Sequence, residues 1–87
     1  MIKSWSDAAW EDFEYWMKQD KKTLKRILQL LKDIDRNGYD GIGKSERLSG
    51  DLAAYWSRRI DEANRIVYRI DNNIIKIVQC GSHYRDK

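Results

Sequence analysis

Four kinds of side chain in the second half of this 87-residue chain could do chemistry together. They are the acid Glu46, the arginines Arg58, Arg59, Arg65 and Arg69, the single histidine His83, and Tyr84. Cleavage of RNA uses such a set and needs no metal, because the substrate carries its own nucleophile. A base takes the proton of the 2′-hydroxyl, an acid protonates the departing 5′-oxygen, and cations absorb the charge growing on the phosphate. Carboxylates and imidazoles ordinarily titrate near about 4.3 and 6.5, so environment can poise one as base and the other as acid. Arginine suits the phosphate because its planar fork donates two parallel hydrogen bonds. A tyrosine beside the scissile step can stack on an unstacked base.

Each residue alone has an ordinary role. Glu46 in a loop is commonly a solvated acid, strand arginines commonly form the wet face of a sheet, and Tyr84 could plug a core. As a set they fit one chemistry better than four accidents. Their alignment depends on register. A four-residue turn over 61–64 would pair Ile60 with Arg65 and put Arg59 and Arg65 on opposite faces. An odd-length connection or a bulge would pair Arg59 with Arg65 and align them.

The elements that must position these groups are legible in the pattern. Residues 2–5 suit a short edge strand. Ser6-Asp7 marks a helix start, with Trp10, Phe13, Trp16 and Met17 following at helical spacing. Asp20 caps a second helix whose apolar positions are Leu24, Ile27, Leu28, Leu31 and Ile34, ending at Asn37-Gly38. Leu24, Ile27, Leu28, Leu31, Trp10 and Phe13 are the expected helical contribution to the core. Three glycines (Gly38, Gly41 and Gly43) predict a loop over 38–47. Strands are expected over 55–60, 65–70 and 74–80, with polar turns between them, a break at Gly81 and a short last strand over 82–84. The sum is an α+β fold: two N-terminal helices packed on one face of a small twisted antiparallel sheet, leaving the other face available.

Composition bounds the rest. One domain, residues 1–87, is expected at this length. Hydrophobic residues are 41% and charged residues 36%, too apolar for disorder and too charged for a membrane protein. No apolar run approaches the ~18 residues of a spanning helix. A single cysteine, Cys80, excludes an internal disulfide and fits the reducing cytoplasm. One cysteine and one histidine argue against an all-protein zinc site. Residues 1–43 hold eight basic and eight acidic side chains, whereas 44–87 hold nine and six, so the +3 excess lies wholly in the β half. That excess permits a polyanion partner without demanding one.

Three runs, Tyr55-Trp56-Ser57-Arg58-Arg59-Ile60, Arg65-Ile66-Val67-Tyr68 and the closing His83-Tyr84, resemble YoeB, the Txe/YoeB branch of the RelE-like (RelE/ParE) bacterial toxins. Trp5-Ser6, Trp10, Tyr15-Trp16 and the loop Gly41-Ile42-Gly43-Lys44-Ser45-Glu46 before Leu48 match too, so the likeness covers nearly the whole chain. The resemblance implies the RelE-like microbial RNase fold. It also implies a ribosome-dependent endoribonuclease, an mRNA interferase of a type II toxin–antitoxin system that cuts mRNA in the A site and halts translation without metal or other cofactor. By position it makes Glu46 the general base, His83 the general acid and Arg65 the phosphate and transition-state clamp, assisted by Arg59. Tyr84 would orient the substrate base, and Lys44 would contact the RNA backbone. The implied partners are mRNA, the bacterial ribosome, a YefM- or Axe-like antitoxin that blocks the site, and a second toxin copy; no membrane is implied.

The chain departs from the family pattern in three places. Ser45 stands where relatives often carry proline, which predicts a looser loop. Gly81-Ser82 lacks the bulkier basic or aromatic character of some relatives, which predicts a weaker substrate contact. Arg85-Asp86-Lys87 extend past the usual tyrosine end, as a frayed terminus or an extra ribosomal RNA contact. The competing reading is a non-catalytic RelE/ParE-fold binding toxin or RNA-binding module, in which the basic groups serve phosphates and Glu46 and His83 are incidental.

Overall fold

The computed structural model describes residues 1–82. Ser82 is an exposed bend; the rest of the short strand expected over 82–84, the placement of His83 and Tyr84, and residues 85–87 lie outside the described residues. The chain runs β1 (Ile2–Trp5), α1 (Asp7–Gln19), α2 (Lys21–Asn37), β2 (Glu46–Arg47), a 3₁₀ turn (Gly50–Leu52), β3 (Trp56–Arg59), β4 (Arg65–Asp71) and β5 (Ile74–Gly81).

The helices begin where the sequence provides caps. Ser6 Oγ accepts from Ala9 N at 3.1 Å. The Asp20 carboxylate accepts from the backbone of Lys22 and Thr23, each at 3.1 Å, so one residue ends α1 and starts α2. Those bonds, the Thr23 side chain first, hold the Asp20 carboxyl below its usual range. Gly38 ends α2 at φ 65°, a conformation that costs other residues more.

The sheet order is β1-β5-β4-β3-β2. The pairs β3–β4 and β4–β5 are antiparallel, as expected; β2, at the end of the span read as loop, adds a further antiparallel strand beside β3. The edge strand β1 pairs parallel with β5, Ile2 opposite Ile74 through Trp5 opposite Ile77, so the sheet is mixed. Beyond Ile77 β1 has ended, and α1 takes over the exposed edge of β5. Ser6 Oγ donates to Val78 O, Trp16 Nε1 to Cys80 O at 2.8 Å, and Cys80 N donates to Asp12 Oδ2 at 3.0 Å. An unpaired strand edge is thereby satisfied by a helix. Gly81 does not break β5; it is the last residue of the strand, opposite Arg65.

The core lies between the helices and one sheet face. Ala9, Ile27, Leu30, Leu31 and Ile34 pack with Ile66, Tyr68, Ile75, Ile77 and Cys80. Leu28 is a correction. It is 44% exposed, and Leu30 is fully buried in its place. Trp10, at 42% exposure, is likewise not core; it packs edge-on against Trp5, 5.7 Å between ring centroids, at the rim of the cluster. No helix of the described residues is long and apolar enough to cross a membrane.

Candidate functional site

Adjacent strand residues point to opposite faces, so Arg58 and Arg59 must part company. Arg59 stands directly opposite Arg65, and Ser57 opposite both Glu46 and Val67. Glu46, Ser57, Arg59 and Arg65 therefore share the sheet face turned away from the helices. The register question is settled by a five-residue connection, residues 60–64. In it both Ile60 N and Asp61 N donate to Asn64 O, while the Asp61 carboxylate accepts from Ala63 N and Asn64 N at 2.8 Å each.

On that face Arg65 Nη1 lies 3.2 Å from Glu46 Oε1 and 3.0 Å from Ser57 Oγ. The Glu46 side chain is 63% exposed and that of Arg65 only 26%, so the carboxylate is accessible while the guanidinium is held from beneath. Among the described residues no acid pairs with Arg59, and its Nε is a buried donor without a partner. Two arginines directly opposite each other across β3 and β4, with a carboxylate at hydrogen-bond distance from one of them, are the side-chain types that can bind a phosphate beside a proton acceptor. Arg69 lies farther along β4, 3.7 Å from Asp71 and stacked on Tyr55 at 5.7 Å, away from this cluster. Lys44 is exposed, at φ 51°, two residues before Glu46 in the loop.

The loop that brings Glu46 to the face is tied down at several points. Gly43 O accepts from Arg59 N, docking the loop on the edge of β3. Gly43 is required there: at φ 83° a Cβ would sit 2.9 Å from Leu30 Cδ2 and 3.1 Å from Arg59 O. Tyr39 stacks on Trp56 and Tyr68, with centroids 4.8 and 5.8 Å away, and its hydroxyl accepts from Ile70 N. Ser45 Oγ donates to Tyr39 O. Proline has no hydroxyl for that bond, so Ser45 gives the loop a tie that a proline could not make.

Beneath the loop lies the residue whose role the sequence did not reveal. Arg58 is fully buried, and each of its five N–H groups has an acceptor. Nε donates to Tyr68 Oη at 3.1 Å; Nη1 donates to Asp33 Oδ2 at 2.6 Å and Ile42 O at 2.8 Å; Nη2 donates to Gly38 O at 2.8 Å and Asp40 O at 3.1 Å. The Arg58 bond is the main cause holding the Asp33 carboxyl below its ordinary range, against the opposing effect of burial. The signal was present in the sequence: of two adjacent arginines on a half-covered strand, one must face the core. Ser57, beneath Arg65, was also missed as a site residue.

Comparison with known proteins agrees with this architecture. The sequence model described as the YoeB-like toxin of bacterial type II toxin–antitoxin systems matches residues 5–84. The toxin YoeB of Mycobacterium bovis is 46% identical over 76 residues, covering 87% of this chain and 89% of that one. Two solved structures from Staphylococcus aureus are 48% identical, each covering 97% of this chain and 98% of theirs. One is a heterotetrameric YoeB–YefM toxin–antitoxin complex, with a TM-score of 0.91, and the other a YoeB dimer, with a TM-score of 0.89. The chain belongs to the family of YoeB-like toxins of bacterial type II toxin–antitoxin systems.

Proposed function

We propose that this toxin is a ribosome-dependent endoribonuclease, one domain over residues 1–87, that cuts mRNA in the A site and so stops translation. The observation that carries the reading is the cross-strand pair Arg59–Arg65 with Glu46 3.2 Å from Arg65. Glu46 takes the 2′-hydroxyl proton, the hydroxyl oxygen attacks phosphorus, and the 5′-oxygen leaves. Arg65 and Arg59 hold the non-bridging oxygens as their charge grows, Arg59 having no carboxylate paired with it among the described residues. His83 protonates the leaving oxygen. Gly81, two residues before it in sequence, is the cross-strand partner of Arg65. Tyr84 stacks on the substrate base, and Lys44 contacts the RNA backbone. The product is a 2′,3′-cyclic phosphate or the 3′-phosphate derived from it.

A pure phosphate binder is the weaker reading, because a carboxylate beside the anion would repel it. The YefM-bound and dimeric relatives support an antitoxin of that kind and self-association for this chain too, in the bacterial cytoplasm. The test is mRNA cleavage in a translating extract by wild type, Glu46→Gln and His83→Ala. Each variant is expected to lose about 10²- to 10⁴-fold in rate, the usual contribution of a positioned acid or base. Growth arrest by Glu46→Gln with no cut mRNA would favour the binding reading.

A further inference from the structure

We infer that Arg58 is a positioning residue for Glu46, acting through the glycine loop; this rests on the nuclease reading above. The loop over 38–45 has no secondary structure of its own until β2, which is only two residues long. Its backbone must therefore be shaped from outside. Three of its carbonyls, those of Gly38, Asp40 and Ile42, converge on the Arg58 guanidinium. Carbonyls aimed at one point repel each other unless a cation sits among them, so the buried charge defines the loop's path. The next carbonyl, Gly43 O, binds Arg59 N, and three residues later Glu46 pairs with Ser57. One strand thus supplies a substrate-facing arginine and, on its other face, the arginine that sets the height of the carboxylate.

Asp33 completes the device. Its Oδ2 takes both Arg58 Nη1 and Ile42 N, at 2.6 and 3.1 Å. Gly41 is the gap that lets it through: a Cβ there would fall 1.9 Å from Asp33 Oδ2 and 3.1 Å from Arg58 Nη1. Lysine cannot replace Arg58, since three donors on one nitrogen cannot reach five acceptors spread around a planar fork.

The experiment compares wild type, Arg58→Lys and Gly41→Ala. Gly41→Ala crowds the Asp33–Arg58 contact and, at φ 147°, also strains the loop backbone, while deleting no core or polar group. Two readouts are taken: steady-state cleavage of mRNA on ribosomes, and amide hydrogen exchange of the free protein. Gly41→Ala should lower kcat by about 10²-fold, the usual effect of displacing a catalytic group by about 1 Å, with KM unchanged. Exchange should quicken at the Gly43, Lys44, Glu46 and Arg47 amides while α2, β4 and β5 keep their protection. Arg58→Lys should do the same or more; if it fails to fold, Gly41→Ala decides alone. Wild-type kcat together with unchanged loop exchange in Gly41→Ala would overturn the inference. If wild type itself cleaves nothing, the nuclease reading fails. Exchange then still decides the positioning claim: quickening confined to the loop keeps it, and no change removes it.

Discussion

Arg59 and Arg65 face each other directly across β3 and β4, and among the described residues only Arg65 has a carboxylate beside it. Like charges in that relation destabilise a sheet by roughly 0.2–1 kcal/mol. A phosphate between them removes the repulsion, so the pair favours a bound anion at the expense of the empty fold. Arg59→Gln should therefore stabilise the free protein by a few tenths to about 1 kcal/mol in urea unfolding. The same change should slow mRNA cleavage. A variant that is both less stable and fully active would contradict the role assigned to the pair.

Leu28 and Leu30 separate the exposed and buried faces of α2. Leu30→Ala removes a fully buried side chain and should cost about 2–5 kcal/mol. Leu28→Ala, at 44% exposure, should stay within about 0.5 kcal/mol of wild type. Parallel chemical melts check both. An equal loss in the two variants would mean that Leu28 is covered in solution.

The same two leucines show how far the sequence could be read. Periodicity located both helices, their caps at Ser6 and Asp20 and the stop at Gly38, because these are local signals. It could not choose between Leu28 and Leu30, which flank the Ile27, Leu31 and Ile34 stripe on opposite sides; the packing of the helix against the rest of the fold decides which flank is covered. The parallel pairing of β1 with β5 was equally out of reach, since it joins residues about seventy positions apart in sequence. At the site, Glu46, Arg59 and Arg65 were legible as types, but their alignment waited on the five-residue connection. Arg58 was read as one more strand cation because nothing local shows that three loop carbonyls will turn inward to meet it.

Asp33 makes stability depend on acid. Its carboxyl is held below the ordinary range by Arg58 first, with burial opposing and Asn37 and Ile42 N assisting. A depressed native pKa means the unfolded chain binds protons more readily. The contribution is thus fully present above the unfolded carboxyl pKa, about 3.9, and is lost as pH falls through the lower native value. Asp33→Asn should be less stable than wild type near neutrality, and the gap should narrow below about pH 4. Urea midpoints from pH 7 down to 2.5 would show it; a constant gap would remove the charge from the explanation.

Cys80 gives the opposite limb. The thiol is fully buried against α1, and burial, with the Asp12 charge assisting, pushes its pKa up to about 12. In the unfolded chain a thiol ionises near about 8.5. Between those values the unfolded state has lost a proton that the native state keeps, so stability falls as pH rises, by up to about 1.4 kcal/mol per pH unit from this group alone. Cys80→Val cannot ionise. The stability difference between wild type and Cys80→Val should therefore move in the variant's favour as pH rises from 8 to 10. Tyrosines and lysines titrate in both proteins and cancel in that difference. The native thiol should also resist alkylation at pH 8 until the chain unfolds, since the thiolate is the reactive form. Rapid labelling of the folded protein, or a difference that stays flat with pH, would mean that the α1–β5 edge opens often enough to hydrate Cys80.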